Sequence, residues 1–243
     1  MQVTGATDIG LVRSSNQDAL RYGSLGSDAC YAVVCDGMGG ANGGNIASSI
    51  AVELIADRLT QYDPQEATPH TAEHLFASAM QAANLSIYER ALDSPDLSGM
   101  GTTVVAVLLH GDTACISHTG DSRAYLLRDG ALTPVTRDHS VVQEMIEQGR
   151  LTEEQARSHP RKHFITRALG VSAQESGEYD ELTLRPGDRL LLCTDGLTNM
   201  LDNDKIRDLT DGCPSIEAVP RLIRAALDAG GRDNVTALLV DRC

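Results

Sequence analysis

The chain has 243 residues, and its 34 acidic side chains outnumber the 20 basic ones, giving a formal net charge of −14. Proteins that bind nucleic acids neutralise phosphates with a basic face, so this charge argues against a nucleic-acid partner. Hydrophobic residues make up 42% of the chain and charged residues 22%, which is typical of a globular protein and not of a disordered one.

No linker rich in Pro, Ser or Gly divides the chain, so we expect one domain over residues 1–243. The longest apolar run, residues 104–109, is far shorter than the roughly 20 residues that cross a bilayer. The first five residues lack the basic and apolar regions of a signal peptide. We therefore expect a cytoplasmic protein without a membrane partner, whose six cysteines are reduced core residues and neither disulfides nor zinc ligands.

Apolar patterns along the chain alternate between short strands and long helices. In chain order they predict a strand at 31–35, helices at 45–59 and 71–92, strands at 102–109, 114–117, 124–127, 131–135 and 189–193, a helix at 215–229 and a strand at 235–240. Short turns containing Asp and Gly join 102–109 to 114–117 and 124–127 to 131–135, which predicts two antiparallel hairpins. Long helices between meandering strands favour a layered α+β fold, with antiparallel sheets covered by helices.

Residues 137–172 differ from the rest of the chain. They predict short helical pieces, at 141–148 and from Thr152 onward, that are separated by Gly149 and Pro160. Between residues 150 and 167 there are five basic and two acidic side chains, so this segment carries +3 in a chain of −14. It is either a solvated surface excursion or a flap that meets an anionic substrate.

Aspartates stand at the ends of predicted strands. Asp36 and Asp195 each follow a buried strand directly, and Asp121 follows the run that begins at 114. A single Asp-Gly pair is an ordinary turn, but several carboxylates gathered at one sheet edge repel each other unless a cation is present. Because no Cys/His set has zinc spacing, oxygen ligands for Mg²⁺ or Mn²⁺ are the best interpretation.

Phosphate-binding and nucleophile motifs of other enzyme classes fail on inspection. A GxGxxG loop beginning at Gly37 would need glycine at position 42, where Asn stands. The chain contains neither a GxxxxGK[ST] loop nor a GxSxG elbow. A Rossmann, P-loop or Ser-His-Asp enzyme is therefore disfavoured.

Eight short motifs occur in order along nearly the whole chain, at residues 9–18, 34–40, 99–103, 120–125, 138–140, 165–170, 194–197 and 231–236. Together they resemble the motif series of the metal-dependent Ser/Thr protein phosphatases, the PPM or protein phosphatase 2C family, in its short bacterial form. The resemblance implies a four-layer α-β-β-α sandwich with two central antiparallel sheets and a flap at about 137–172. It also implies a dinuclear metal site between the sheets.

The resemblance implies a role for each matching residue. Asp36 would bridge two metal ions. Asp195 and Asp233 would complete the ligands of the first ion, and the Gly37 carbonyl would help to bind the second. Asp121, together with Asp195, matches the ligands of a weaker third ion.

Further positions match residues that support the metals or bind the substrate. Arg13 matches the phosphate-binding arginine, and Asp18 would hold metal-bound waters from behind the ligands. Asn234 would support the ligands, while Thr102 and Thr103 would pack beneath them.

The implied reaction is hydrolysis of phosphoserine and phosphothreonine in proteins, by direct attack of a water activated by two Mg²⁺ or Mn²⁺ ions. Such attack needs no protein nucleophile, in keeping with a chain that has neither a Cys-x5-Arg loop nor a DxDxT motif. The expected partners of this monomer are phosphorylated proteins and the Ser/Thr kinase that the enzyme opposes.

One departure from the family pattern concerns the general acid. Many bacterial members carry His and Glu where Ala41 and Asn45 stand here. A metal-bound water, His139 or His163 could replace the missing histidine. Two alternative functions stay open: a pseudophosphatase that only binds phosphoproteins, and a hydrolase of small phosphate esters.

Overall fold

A computed structural model describes residues 1–68 and 70–242, without the side chains at positions 41 and 42. Its strands are β1 (Gln2–Asp8), β2 (Asp18–Ser24), β3 (Ala29–Met38), β4 (Gly101–Thr102), β5 (Val104–His110), β6 (Thr113–Thr119), β7 (Arg123–Arg128), β8 (Ala131–Pro134), β9 (Glu178–Thr183), β10 (Arg189–Cys193) and β11 (Val235–Asp241). Its α-helices are α1 (Gly40–Leu59), α2 (Thr71–Asp93), α3 (Val141–Glu147), α4 (Glu153–Arg157), α5 (Asp195–Thr198), α6 (Asn203–Thr210) and α7 (Ser215–Asp228).

The strands form two antiparallel sheets. The first sheet has the order β1-β11-β10-β7-β8, and the second has the order β2-β3-β5-β6-β9, with β4 paired to β3. Both predicted hairpins are present, as β5 with β6 and β7 with β8. In the register of β2 and β3, Asp18 lies opposite Asp36, which brings two carboxylates to the same end of the sheet.

Three apolar clusters hold four layers together. Phe76 and Ile55 belong to the cluster that packs α1 and α2 on the second sheet. Val105 and Leu192 lie in the cluster between the two sheets, and Leu222 lies in the cluster that packs α7 on the first sheet. Aliphatic burial of this kind contributes about 25 cal/mol per Å² of apolar surface removed from water. The predicted α-β-β-α sandwich is confirmed.

The sequence patterns missed three strands, β1, β2 and β9. Each lies at the edge of a sheet and consists mainly of exposed and partly buried residues. Edge strands carry polar side chains and are held mainly by backbone pairing to one neighbour, so they lack the β-branched runs that marked the central strands. The predicted strand 102–109 is divided into two strands. β4 pairs with residues 37–38 at the end of β3, and β5 pairs with residues 29–34 of the same strand.

The predicted flap contains the two short helices α3 and α4. Ser140 caps α3 by accepting a hydrogen bond from the Gln143 backbone N–H, and Thr152 forms the predicted capping box at α4. After α4 the chain returns to the sandwich, where the Leu169 N–H donates to the Thr102 carbonyl of β4 at 2.9 Å. This bond fixes the last part of the flap beside the sheet ends.

Cysteines 30, 35, 115, 193 and 213 are buried free thiols, as expected of core residues, and Cys243 lies outside the described residues. Burial raises the pKa of the Cys30 thiol to about 11, which keeps it protonated and unreactive at neutral pH. Among the helices described, none has the length and apolar character needed to cross a bilayer.

Candidate active site

Four aspartates predicted from the sequence line one open cleft of about 820 Å³. Asp36 lies near the end of β3, Asp121 follows β6, Asp195 begins α5 directly after β10, and Asp233 precedes β11. Two of these strands belong to each sheet, so the carboxylates converge from both sheets and not along the edge of one. Arg13, in the loop between β1 and β2, lies in the same wall.

Burial and mutual repulsion disfavour the ionised form of this cluster. Burial raises the pKa of Asp121 to about 8, and the neighbouring charge of Asp195 adds to the effect. The pKa of Asp36 is raised well above its ordinary value, first by burial and then by the charges of Asp18 and Asp195. Carboxylates in such a cluster ionise together only when a cation compensates them, and oxygen donors suit a hard divalent ion.

Asp18 lies behind the cluster and is almost fully buried. Its Oδ2 accepts hydrogen bonds from the hydroxyls of Thr194 at 2.9 Å and Thr236 at 2.6 Å, whereas its buried Oδ1 has no partner. Burial, the largest cause, raises the pKa of Asp18 to about 7 against the opposing effect of both threonines. A buried carboxylate oxygen without a partner costs free energy, so a cation or its waters at the cluster would complete this arrangement.

Two glycines bring backbone segments into close contact at the cluster. A Cβ on Gly37 would lie 2.0 Å from the carbonyl oxygen of Gly44, and a Cβ on Gly196 would lie 1.9 Å from that of Asn234. No side chain can be accommodated at such distances without moving backbone. Each glycine therefore follows its aspartate because the chain must pass close to another backbone segment there, the start of α1 at Gly37 and the loop before β11 at Gly196.

Arg13 forms an ion pair with Asp233, with 2.7 Å between Nη2 and Oδ2. This hydrogen bond is the main cause that raises the Arg13 pKa. The arginine side chain is 52% exposed, and its Nε and Nη1 have no partner among the described residues. It can therefore offer donors to an anion in the cleft while touching the aspartate cluster.

Asn234 ties its own loop to the loop between β1 and β2, which carries Arg13. Its Oδ1 accepts a hydrogen bond from the Gln17 N–H at 2.8 Å, and its Nδ2 donates to the carbonyls of Ile9 at 2.9 Å and Ser15 at 3.0 Å. The loop that carries Arg13 is thereby fixed to the residue that follows Asp233.

Thr102 and Thr103, interpreted from the sequence as packing residues, hold the backbone of Asp36. The Thr102 hydroxyl donates to the Asp36 carbonyl at 2.9 Å, and the Thr103 hydroxyl accepts from the Asp36 N–H at 3.0 Å. The packing interpretation was incomplete because these contacts cross 66 and 67 residues of sequence. Two adjacent hydroxyls at the start of an apolar strand were the available signal.

The model of the family described as protein phosphatase 2C matches residues 12–237, which include the whole cleft from Arg13 to Asn234. The chain belongs to the protein phosphatase 2C family. The serine/threonine protein phosphatase PstP of Mycobacterium tuberculosis is 39% identical over 246 residues, covering 99% of this chain and 45% of PstP. The chain therefore spans about half the length of that relative.

Solved structures of the family share the fold. A serine/threonine phosphatase of S. agalactiae matches with a TM-score of 0.91 and 36% identity, over 99% of each chain. The catalytic domain of PstP, in complex with two manganese ions, matches with a TM-score of 0.86 and 34% identity, over 99% of this chain and 97% of that one.

The two candidate histidines of this protein phosphatase 2C member occupy different places. His163 lines the cleft, whereas His139 stacks on His118 with 4.8 Å between ring centroids. The His139 Nδ1 accepts a hydrogen bond from the Gly120 N–H at 3.1 Å, so this ring helps to fix the turn before Asp121. The side chain of Ala41 lies outside the described residues, and Asn45 is exposed on α1.

His118, His139 and Glu178 are close enough to hold a metal ion, with potential ligand atoms within 4.8 Å of one another. However, Nη1 of Arg167 already lies 3.2 Å from Nε2 of His139 and 2.9 Å from the Glu178 carboxylate. Burial, and next the charge of Arg167, lower the pKa of His139. The guanidinium supplies the positive charge of this cluster, which is therefore a structural network.

The basic residues of the flap are not equivalent. Arg167 is held by ion pairs to Glu175 at 2.7 Å and Glu178 at 2.9 Å. One Arg161 nitrogen lies 3.8 Å from the sulfur of Met145, away from the cleft. Lys162 lines the cleft directly. The net charge of +3 therefore overstates the positive charge that an anion in the cleft would meet.

Proposed function

We propose that this chain is a Mg²⁺- or Mn²⁺-dependent phosphatase that hydrolyses phosphoserine and phosphothreonine in proteins. The observation that carries the proposal is the gathering of Asp36, Asp121, Asp195 and Asp233 in one open cleft with Arg13. Its relative PstP is a serine/threonine protein phosphatase whose catalytic domain binds two manganese ions, which supports the same activity here.

The residues of the cleft fit divalent cations. Asp36, Asp195 and Asp233, with the carbonyl of Gly37, would hold two ions, and Asp121 with Asp195 would hold a third, weaker one. When bound, the ions supply a nucleophile from water at neutral pH and neutralise charge on the phosphoryl group and the leaving oxygen. The raised carboxylate pKa values and the unpartnered Oδ1 of Asp18 support this assignment.

The chain's own residues bind and orient the phosphate. Arg13 donates to phosphoryl oxygens through the nitrogens that do not bind Asp233. Asn234 holds the loop that carries Arg13 through its hydrogen bond to the Ser15 carbonyl. His163 in the cleft wall is placed to give a proton to the departing serine or threonine oxygen; a water molecule can do the same. Because the cleft is open, it admits a phosphorylated residue on a polypeptide as well as a small ester.

The proposal extends to the setting of the enzyme. Its partners are phosphorylated proteins and the Ser/Thr kinase that phosphorylates them. It works as a monomer in the cytoplasm, where buried free thiols such as Cys35 and Cys193 remain reduced.

The test is the substrate range of the purified protein with Mn²⁺. We expect kcat/KM for phosphothreonine and phosphoserine peptides to exceed that for phosphotyrosine peptides of the same sequence, with p-nitrophenyl phosphate also hydrolysed. The matched control is Asp233→Asn, which keeps the size of the side chain and removes one ligand charge. Binding of phosphopeptides without turnover would indicate a pseudophosphatase, and turnover of p-nitrophenyl phosphate alone would indicate a small-ester hydrolase.

A further inference from the structure

A second cavity, of about 650 Å³, opens between the flap helices α3 and α4 and the segment 198–203; we call it the flank cavity. Its volume is within the range of about 300–1,000 Å³ that is typical of ligand pockets. Val142, Ile146 and Leu201 supply apolar surface, and Arg157 lies at the end of α4 in the flap wall. The proposed hydrolysis at the aspartate cluster does not use this space.

The flank cavity is continuous with the catalytic cleft. Five residues line both spaces: Asp121, Lys162, Asp195, Asn199 and Met200. When a phosphate lies at the aspartate cluster, the substrate chain on one side of it can therefore enter the flank cavity. An extended chain advances about 3.3–3.6 Å per residue, so a cavity of this size takes a few residues from one side of the phosphorylated position.

The cations that line the flank cavity fall into two groups. Arg123 and Arg137 are held by ion pairs to acidic side chains of the protein. By contrast, Arg157 and Lys162 form neither an ion pair nor a side-chain hydrogen bond within residues 1–68 and 70–242. Both unpaired cations belong to the flap wall, and Arg157 is exposed to solvent.

The acidic residues of the rim do not balance these cations. Asp202 accepts a hydrogen bond from the Lys205 N–H and caps α6, so the helix N-terminus already engages its charge. In the flap, Asp138 lines the cavity but is paired with Arg123, which leaves Glu153 as the acidic residue against Arg157 and Lys162. The free charge of that wall is therefore positive.

We propose that the flank cavity is a subsite for the substrate chain beside the phosphorylated residue, and that Arg157 selects an acidic side chain there. The inference rests on the proposed function and specifies its substrate class. The preferred substrates are phosphoproteins with Asp or Glu a few residues away from the phosphoserine or phosphothreonine, on one side only. A solvent-exposed charge pair of this kind supports a preference of about two- to fivefold.

The test uses phosphothreonine peptides with alanine at the flanking positions and one Glu, Gln or Lys moved through them. For the wild-type protein we expect kcat/KM to rise about two- to fivefold for Glu over Gln at positions on one side of phosphothreonine. Arg157→Gln should abolish this preference, and Arg157→Glu should transfer it to the peptide with Lys. Hydrolysis of p-nitrophenyl phosphate should change less than about twofold in both variants, since Arg157 does not line the cleft.

Arg150→Gln is the matched control, because it removes the same charge from an exposed flap residue that does not line the flank cavity. This variant should keep the wild-type preference. Equal loss of preference in Arg150→Gln and Arg157→Gln would reveal general attraction by the flap and overturn the subsite, as would a wild-type protein indifferent to Glu at every position. Absence of turnover on all peptides would instead overturn the proposed function.

Discussion

Replacing Gly196 by Ala tests whether contact between two backbone loops sets the spacing of the aspartate cluster. The new Cβ would lie 1.9 Å from the Asn234 carbonyl oxygen, whereas an ordinary contact of this type is about 3.3 Å. The loop with Asp233 and Asn234 must therefore retreat by about 1.4 Å from the loop with Asp195. Since the neighbouring atom is backbone, rotation of a side chain cannot relieve the clash.

We expect Gly196→Ala to lower the free energy of unfolding by about 1–3 kcal/mol, as overpacking does. Its kcat/KM for p-nitrophenyl phosphate should fall by about 10²-fold or more, because misplacement by about 1 Å at a reacting centre costs that much. Urea denaturation and steady-state kinetics with Mn²⁺ measure the two effects.

Gly5→Ala provides a control in which the new Cβ is crowded by side chains, and not by backbone, away from the cleft. Its Cβ would lie 2.7 Å from the Leu20 side chain and 3.2 Å from that of Leu238, between the sheets. We expect a smaller loss of stability than in Gly196→Ala, with kcat/KM within about twofold of wild type, because flexible side chains can shift there. If Gly196→Ala keeps more than half of the wild-type kcat/KM, loop contact does not set the geometry of the cluster.

Three further variants test phosphate binding by Arg13, metal binding by Asp121 and the contribution of Asp188 to the stability of the fold. Arg13→Ala should raise KM about tenfold for each roughly 1.4 kcal/mol of lost hydrogen bonding, with Mn²⁺ affinity unchanged; an unaltered KM would place Arg13 outside phosphate binding. Asp121→Ala should lower kcat while calorimetry still finds two tight Mn²⁺ sites, and loss of those sites would refute its assignment to the third ion. Hydrogen bonds from Arg128 lower the pKa of Asp188 in the folded protein. The Asp188 carboxylate therefore stabilises the fold fully above its unfolded-state pKa of about 3.9, and this stabilisation is lost as the pH falls through its lower folded-state pKa. The difference in unfolding free energy between wild type and Asp188→Asn, measured in EDTA, should be constant from about pH 6 to 8 and narrow below about pH 4; a difference independent of pH would contradict this role.

The central strands and long helices could be predicted because burial imposes apolar patterns on them. The strand 189–193 matches β10 in both bounds, and the helix 71–92 falls one residue short of the end of α2. The edge strand β9 could not be predicted, because residues 178–183 are mostly polar and only pairing with β6 makes them a strand. The sequence of residues 178–183 does not indicate that β6 is their pairing partner.

The aspartates were recognisable because carboxylates at the ends of buried strands are unusual in number and matched family motifs. Their supports were not recognisable, since Thr194 and Thr236 act on Asp18 across 176 and 218 residues of sequence. The same limit applies to the flap charges. Counting residues gave +3, but the ion pairs of Arg167 with Glu175 and Glu178 are visible only after folding.

The most direct test of the metal-dependent cluster is a titration of Mn²⁺ into protein freed of metal by EDTA, followed by hydrolysis of a phosphothreonine peptide. Wild-type protein should be inactive in EDTA and recover fully with Mn²⁺, and Asp36→Asn should lose at least about 10³-fold in kcat at saturating Mn²⁺ because Asp36 is predicted to bridge both ions. Undiminished turnover by the wild-type protein in EDTA would contradict the account.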